Sequence, residues 1–286
     1  MKCIACGSEK IKFYFKKNGF DMMRCEECSL LFVGNIPDDL SKYYSEGYFT
    51  GDAELEGYMD YDFEKEMARK SYLKYLKQIK KYISGSDIFE IGCATGFFMK
   101  LAKESGMSVS GIDISEYAVG KAREKGLDVT CRSIDDLSDD ECKNNFDAVV
   151  MLDVVEHVKK PQEVFNKASK MLKEKGLVVF LTPDSGSLWA RLWRSKWHAF
   201  VPPQHLHYFS EKNIKSLLEK NKFRALCVKH YGKSFTLPYI FRLLYSWTGF
   251  GVWRILANFS SRNFLKNISV PINLFDTMFV IAKKYE

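Results

Sequence analysis

A chain of 286 residues, 46 % of them hydrophobic, has room for one large α/β domain with a small appendage and is too apolar to stay disordered. Its formal net charge of +7 is spread along the sequence, as at Lys77, Lys80, Lys81, Lys121, Lys159 and Lys160, without the dense basic block of a strong nucleic-acid binder. No stretch offers the roughly eighteen uninterrupted apolar residues of a membrane span. No apolar run follows Lys2 as it would in a secretion signal, so the eight cysteines point to a reducing, cytoplasmic setting.

Cys3-x2-Cys6 and Cys25-x2-Cys28, eighteen residues apart, have the spacing of a zinc ribbon. Four thiolates suit a tetrahedral Zn²⁺ and leave no position open for water, so the expected metal is structural. Between the pairs, Ile11–Phe15 and Asp21–Arg24 read as two strands around a turn at Lys17-Asn18-Gly19. A unit of 1–36 is too small to fold on its own apolar surface, and metal would supply the energy. Residues 37–84 follow as an aromatic linker or lid, with Tyr43, Tyr44, Tyr48, Phe49, Tyr58 and Tyr61, and a helix expected over Phe63–Ile83 and ended by Gly85.

From Asp87 the pattern alternates. Strands are expected at Ile88–Ile91, Ser108–Ile112, Leu127–Cys131, Phe146–Leu152 and Leu177–Leu181. Helices are expected at Phe97–Ser105, from the Ser115 cap to Lys125, and from Pro161 to Leu172. A helix over Glu211–Asn221, capped by Ser210, and strands at Phe223–Tyr231 and Asp276–Lys283 complete the domain, 85–286. This predicts a doubly wound, mainly parallel seven-stranded α/β sheet, Rossmann-like, whose ligands bind beyond the carboxyl ends of the strands. The small-residue turn Gly92-Cys93-Ala94-Thr95-Gly96 lies at that edge. Asp113, twenty-one residues after Gly92, stands where a carboxylate can take the two hydroxyls of a ribose. The third glycine of a dinucleotide fingerprint is missing, since Phe97 occupies its place.

Glu90-Ile91-Gly92-Cys93-Ala94-Thr95-Gly96 resembles the first motif of class I S-adenosylmethionine-dependent methyltransferases. The resemblance continues through Gly111-Ile112-Asp113-Ile114-Ser115, Phe146-Asp147-Ala148-Val149-Val150 and Val154-Val155-Glu156-His157-Val158, over roughly 85–283. Members of this group often carry a four-cysteine ribbon ahead of the catalytic domain. The resemblance implies that Glu90 holds the amino end of the methionine, that Gly92 and Gly96 bring backbone against the cofactor, and that Cys93 and Ala94, conservative replacements of the usual small residues, belong to the same cofactor site. It implies that Asp113 accepts from the ribose and that Ile114 and Ile134 flank the adenine. Ser133 stands where the family often has an acid, and Asp135 is the substitute contact; Leu152, at the end of its strand, completes the cofactor site.

A hydroxyl or amine acceptor must give up a proton. The candidate bases are His157, after the fourth strand, and His205 and His207, which form a second cluster with His198 after the fifth. A second reading gives Asp153, Glu156, His157 and His205 to a divalent ion, similar to the Glu-x-x-Glu-His arrangement of ubiquinone-pathway and small-RNA O-methyltransferases, with Asp153 in place of the first Glu. A third reading leaves these residues bracing the strand end and the lid. An aromatic-rich insertion, 235–270, is a candidate to cover the core, cap the acceptor pocket, form a dimer or rest on a membrane surface. The expected reaction is O-methylation of a small-molecule, sugar or lipid-linked acceptor. An RNA methyltransferase whose ribbon grips nucleic acid and a non-catalytic cofactor-binding scaffold are the alternatives.

Overall fold

The computed structural model describes residues 1–50, 60–143, 145–262 and 264–285. β1 (Ile11–Lys17) and β2 (Phe20–Cys25) form the expected antiparallel hairpin, with Asn18 and Gly19 at φ of 49° and 81°, the two left-handed residues that a tight hairpin turn requires. β3 (Leu31–Val33) adds to β2. A 3-10 turn at Ser41–Tyr44 and α1 (Glu46–Thr50) carry the first aromatic residues of the linker. Tyr58 lies outside the described residues.

The single helix expected over Phe63–Ile83 is two helices, α2 (Tyr61–Met67) and α3 (Arg69–Ile79), joined at Ala68. The break changes the direction faced. Tyr61 and Lys65 of α2 turn into a cavity, while Tyr72, Tyr75, Leu76 and Ile79 of α3 pack on the sheet. Gly85 does not end the helix. A Cβ there would stand 2.1 Å from Asp147 Oδ2, so the residue is small because the carboxylate must pass it to accept from the Asp87 N–H, at 3.0 Å.

β4 (Asp87–Ile91), α4 (Phe97–Glu104), β5 (Ser108–Asp113), α5 (Glu116–Glu124), β6 (Asp128–Cys131), β7 (Phe146–Leu152) and α6 (Pro161–Met171) follow as expected. Ser115 Oγ accepts from the Ala118 N–H at 3.4 Å to cap α5, and Pro161 fixes the first turn of α6. β8 (Leu172–Pro183) begins five residues earlier than expected. Leu172 already pairs with Phe146, and a register shift precedes the Leu177–Ala148 pair. The chain continues through α7 (Leu188–Trp193), β9 (His207–Tyr208), α8 (Glu211–Lys220) and β10 (Phe223–His230). β11 (Lys233–Thr236) pairs with β12 (Ser269–Ile272) and closes an inserted hairpin of α9 (Leu237–Thr248) and α10 (Gly251–Arg262), within two residues of the expected insertion. β13 (Thr277–Lys284) returns antiparallel between β8 and β10.

Among the described residues the main sheet has seven strands in the order β10-β13-β8-β7-β4-β5-β6. Its central strands are buried on both faces, which is why they read as unbroken apolar runs. Val149, Met151, Phe180 and Val280 pack toward α6 and α8, and Ala148, Val150, Val179 and Ile281 toward α3 and α4. Each such side chain stabilises the fold by about 1.5–3 kcal/mol relative to exposure. The ribbon joins this core. Cys3, Cys25, Cys28, Leu30 and Phe32 belong to the cluster that lies over α6 and α8, and β3 pairs with β9 through Leu31–Tyr208 and Phe32–His207. Asn213 Nδ2 donates to Cys28 O at 2.8 Å and fixes the second cysteine knuckle to α8.

Candidate active site

At the carboxyl edge of β4 the chain turns sharply. Gly92 and Gly96 have φ of 71° and 79°. Added Cβ atoms would meet Val154 Cγ2 at 2.5 Å and Leu127 Cδ1 at 2.3 Å, so both positions require glycine for conformation and for space. A cavity of about 530 Å³ opens over this turn. It is lined by Gly92, Ala94, Asp113, Ile114, Ile134, Asp135 and Leu152 of the expected cofactor set. Ile114, 46 % exposed, and Ile134, buried at the head of a 3-10 turn that Ser133 caps, supply two apolar surfaces there.

Asp113 is held from both sides. Oδ2 accepts from the Ala94 N–H at 2.8 Å and Oδ1 from the Ser115 N–H at 2.9 Å. Burial raises its pKa, opposed by backbone N–H groups of Ser115, Ala94 and Ile114. Glu90 is 3 % exposed, and its Oε2 has no hydrogen-bond partner among the described residues. Burial pushes its carboxyl well above the usual range, the Asp113 charge adds to this, and the Lys65 ammonium works against it. A buried acceptor without a donor is costly. Glu90 does not itself line the cavity, which Ile91 and Gly92 border, and an ammonium reaching its Oε2 would satisfy it. The α2 helix is tied to the same turn, since Asp62 accepts from the Thr95 hydroxyl and, at 2.8 Å, from the Lys125 ammonium.

Three expected contacts are corrected. Cys93 is 4 % exposed and points into the core formed with Met99, Val119, Ala122 and Leu127, so only its backbone borders the turn. Gly96 lies behind the cavity, where it starts α4 and lets Leu127 approach. His207 does not line the cavity. It sits on β9 against Phe32 of the ribbon, 4 % exposed, with Nε2 3.4 Å from Lys159 O, and burial lowers its pKa to about 4. It braces the seam, since the β3–β9 pairing seats it opposite Phe32, whereas His205 lies outside the strand.

Glu156, His157 and His205 do converge. One ligand atom of each lies within 4.8 Å of the others. His157 Nδ1 is 2.7 Å from Gln204 O, and His205 Nδ1 is 2.8 Å from Ala199 O. A carbonyl only accepts, so both rings carry their proton on Nδ1 when neutral, and each presents Nε2 as a lone pair. His157 Nε2 is 4.0 Å from Glu156 Oε1, and the two imidazoles meet edge to face with centroids 4.7 Å apart. Asp153 lines the same cavity, with φ of 57°, but is not a member of this cluster.

The aromatic linker read in the sequence as a lid lines the cavity, as does part of the insertion, and Lys65 and Arg132 join them without having been singled out. Tyr44 Oη is 2.9 Å from His157 Nδ1, so the aromatic linker lies against the histidine pair, and Tyr48, Phe49 and Tyr61 continue edge to face from it. Lys65 arrives from α2, Arg132 from the end of β6, and Phe235, Tyr239 and Arg242 from the insertion, which therefore roofs the cavity. His198, with Nε2 3.5 Å from Asp276 Oδ2, lies on the same wall. Of these, Lys65 and Arg132 carry no local motif. The four expected metal ligands, Cys3, Cys6, Cys25 and Cys28, form a cluster far along the chain from this cavity, with Sγ–Sγ distances of 3.4 Å (Cys3–Cys28) and 3.5 Å (Cys6–Cys25).

The chain matches the model of a methyltransferase domain over residues 63–228, more than half its length. It is similar to ubiquinone biosynthesis O-methyltransferases from Idiomarina loihiensis (32 % identical over 104 residues, 34 % of this chain and 42 % of the relative) and Alkalilimnicola ehrlichii (32 % over 116 residues, 38 % and 47 %). The match thus spans less than half the length of these curated relatives. Among solved structures, magnesium protoporphyrin IX methyltransferase from Synechocystis PCC 6803 with bound SAH superposes with a TM-score of 0.54 at 13 % identity, covering 85 % of this chain and 97 % of that one. A SAM-dependent methyltransferase from Thermotoga maritima, described as a possible histamine N-methyltransferase, gives 0.52 at 18 %, covering 79 % and 94 %. These likenesses show the fold alone. The family match, the sheet order and the turn facing Asp113 together place the chain in the methyltransferase-domain family, with the class I, S-adenosylmethionine-dependent fold.

Proposed function

We propose that this protein moves the methyl group of S-adenosylmethionine to a hydroxyl oxygen of a small acceptor, and that His157 and His205 serve the acceptor oxygen. The observation behind this reading is the pair of backbone carbonyls, Gln204 O and Ala199 O, that hold both Nδ1 protons and turn both Nε2 lone pairs into use. As the acceptor O–H gives its proton to Nε2, the oxygen forms a bond to the methyl carbon. The S–CH₃ bond breaks with its electron pair going to sulfur, and S-adenosylhomocysteine leaves as a neutral thioether. The names of the curated relatives favour oxygen as the atom methylated. Glu90, Asp113, Ile114 and Ile134 are the proposed cofactor contacts, with Asp135 and Leu152 at the edges.

A second reading is favoured by the Glu156–His157–His205 cluster, whose carboxylate and two carbonyl-oriented imidazoles fit a divalent cation. Such an ion, when bound, would supply a Lewis acid that lowers the acceptor hydroxyl's pKa. In that reading Gln204 O and Ala199 O orient the ligands. At the other end of the chain, the four cysteine sulfurs are proposed to hold structural Zn²⁺. A tetrahedral ion with Zn–S of about 2.3 Å separates its sulfurs by about 3.8 Å, and 3.4–3.5 Å in the thiol cluster is close to it.

The test is to supply methyl-labelled S-adenosylmethionine with aqueous and organic cell extracts in parallel. Label should enter a small hydroxylated compound as an acid- and base-stable ether. Label confined to RNA or protein, or no transfer although the cofactor binds, would discard the O-methylation of a small acceptor.

A further inference from the structure

The outer side of the inserted hairpin has a composition that the cavity does not explain. Phe250, Val252 and Ile255 are 66, 54 and 68 % exposed at the hairpin tip and along α10, and Phe264 just beyond is 77 % exposed. Leu188 and Leu192 on α7 are 83 and 72 % exposed. The two sets are joined, since Trp247 near the tip stacks on Trp193 of α7 at 4.4 Å, with Trp189 alongside. All three indole N–H groups lack an acceptor among the described residues. Single exposed apolar residues need no explanation, but a contiguous set does.

The segments that form this surface carry charge of one sign. From Lys220 to Phe275 the sequence contains no Asp or Glu, and neither does 185–210. Arg254 and Arg262 on α10, and Arg191, Arg194 and Lys196 around α7, are exposed beside the apolar side chains. A two-fold dimer through this surface would set cations against cations. An anionic bilayer fits it instead. Aliphatic and aromatic side chains enter the acyl boundary and arginines meet phosphate, while the packed indoles tie α7 to the hairpin. No described helix is long and apolar enough to cross a membrane, which leaves lying on the surface as the geometry of contact.

We propose that α10, the hairpin tip and α7 form a docking surface for an anionic lipid bilayer. The inner side of the same hairpin brings Tyr239 and Arg242 to the cavity. Docking therefore sets the acceptor pocket at the membrane surface and, on the O-methylation reading above, assigns it an acceptor carried by lipid.

Flotation of the full chain with phosphatidylcholine vesicles, and with vesicles containing phosphatidylglycerol, tests the proposal. The protein should float with the anionic vesicles and much less with the neutral ones. Phe250→Ser with Ile255→Ser should lower partitioning about ten-fold or more, from the apolar area withdrawn. Arg254→Glu with Arg262→Glu should remove the preference for phosphatidylglycerol. All four positions are exposed, so folding is not at stake, and calorimetry with S-adenosylhomocysteine should give wild-type affinity in both variants. Failure to float with either vesicle, partitioning unchanged in both variants, or a lipid-free dimer that Phe250→Ser with Ile255→Ser disperses would overturn it. Flotation intact in a wild type that shows no affinity for S-adenosylhomocysteine would sink the enzymatic reading and leave the docking surface standing.

Discussion

Ala94 donates its backbone N–H to Asp113 Oδ2 at 2.8 Å, so the glycine turn after β4 and the carboxylate ending β5 are one rigid unit before any ligand arrives. Both carboxylate oxygens are engaged, because Oδ1 accepts from Ser115. Asp113→Asn must therefore turn an amide N–H₂ toward a backbone N–H, whichever way it is placed. The substitution loses a charged acceptor for the ribose and disturbs the turn as well. Hydrogen bonds to charged groups contribute about 1.5–3 kcal/mol, so calorimetry should find S-adenosylmethionine bound about ten- to a hundred-fold more weakly. Wild-type affinity in this variant would remove Asp113 from the cofactor site.

Glu90 gives a pH signature. Its folded pKa is raised by burial first and by the Asp113 charge second. In the ligand-free protein the folded state binds this proton more tightly than the unfolded state. Stability is then greatest below the ordinary carboxylate range and declines as pH rises from there toward the folded pKa. Glu90→Gln has no proton to lose. Thermal melts of the ligand-free variant should show a flatter decline with pH than wild type, with the cofactor bound more weakly because the ammonium has lost its anion. A decline as steep in Glu90→Gln as in wild type would show that another group titrates.

The sequence was most legible where the physics is local. Phe146–Leu152 is seven residues of nearly unbroken apolar character, and its strand has those same ends. The cysteine pairs and the Asn18-Gly19 turn carry their geometry in their own spacing. The helix break at Ala68 left no such mark, since apolar residues recur at helical intervals across it. A motif names a position but not the direction of its side chain, which is how Cys93 and His207 came to be expected at the ligand and lie in the core and the seam. The contact between Tyr44 and His157 spans 113 residues, and neither residue alone signals the other. Lys65 is likewise visible only once α2 is placed over the turn.

His157→Ala and His205→Ala separate the two roles offered for the histidines. If Nε2 is a general base, the residue concerned should lower kcat by about 10²–10⁴-fold with cofactor affinity unchanged. Chelation mild enough to leave the ribbon's zinc in place, as zinc analysis of the treated protein checks, should then leave wild-type turnover intact. If the cluster holds a divalent ion, Glu156→Gln should match the histidine variants. The same zinc-sparing chelation should abolish activity, and added Mg²⁺ or Mn²⁺ should restore it in wild type alone. Unchanged turnover in both histidine variants would assign the cluster to bracing the strand end.

Removing metal from the ribbon should be felt at the site. The Val33 N–H donates to Leu206 O at 2.9 Å, and the Leu206 N–H donates to Glu156 O at 2.8 Å, a backbone relay from β3 of the ribbon to the residue preceding His157. The β3–β9 pairing adds to it, and Cys28 O is held by Asn213. A ribbon of this size has little apolar surface of its own, so loss of the ion should unfold it and free the 205–208 segment. Metal analysis should find one zinc per chain, and Cys25→Ser with Cys28→Ser should abolish it. Acceptor turnover should fall sharply in that variant. Cofactor affinity should change little, because the turn and Asp113 are built on β4 and β5, which the ribbon does not pair with. Cofactor affinity lost in step with turnover would mean that the ribbon supports the whole domain rather than the acceptor end alone.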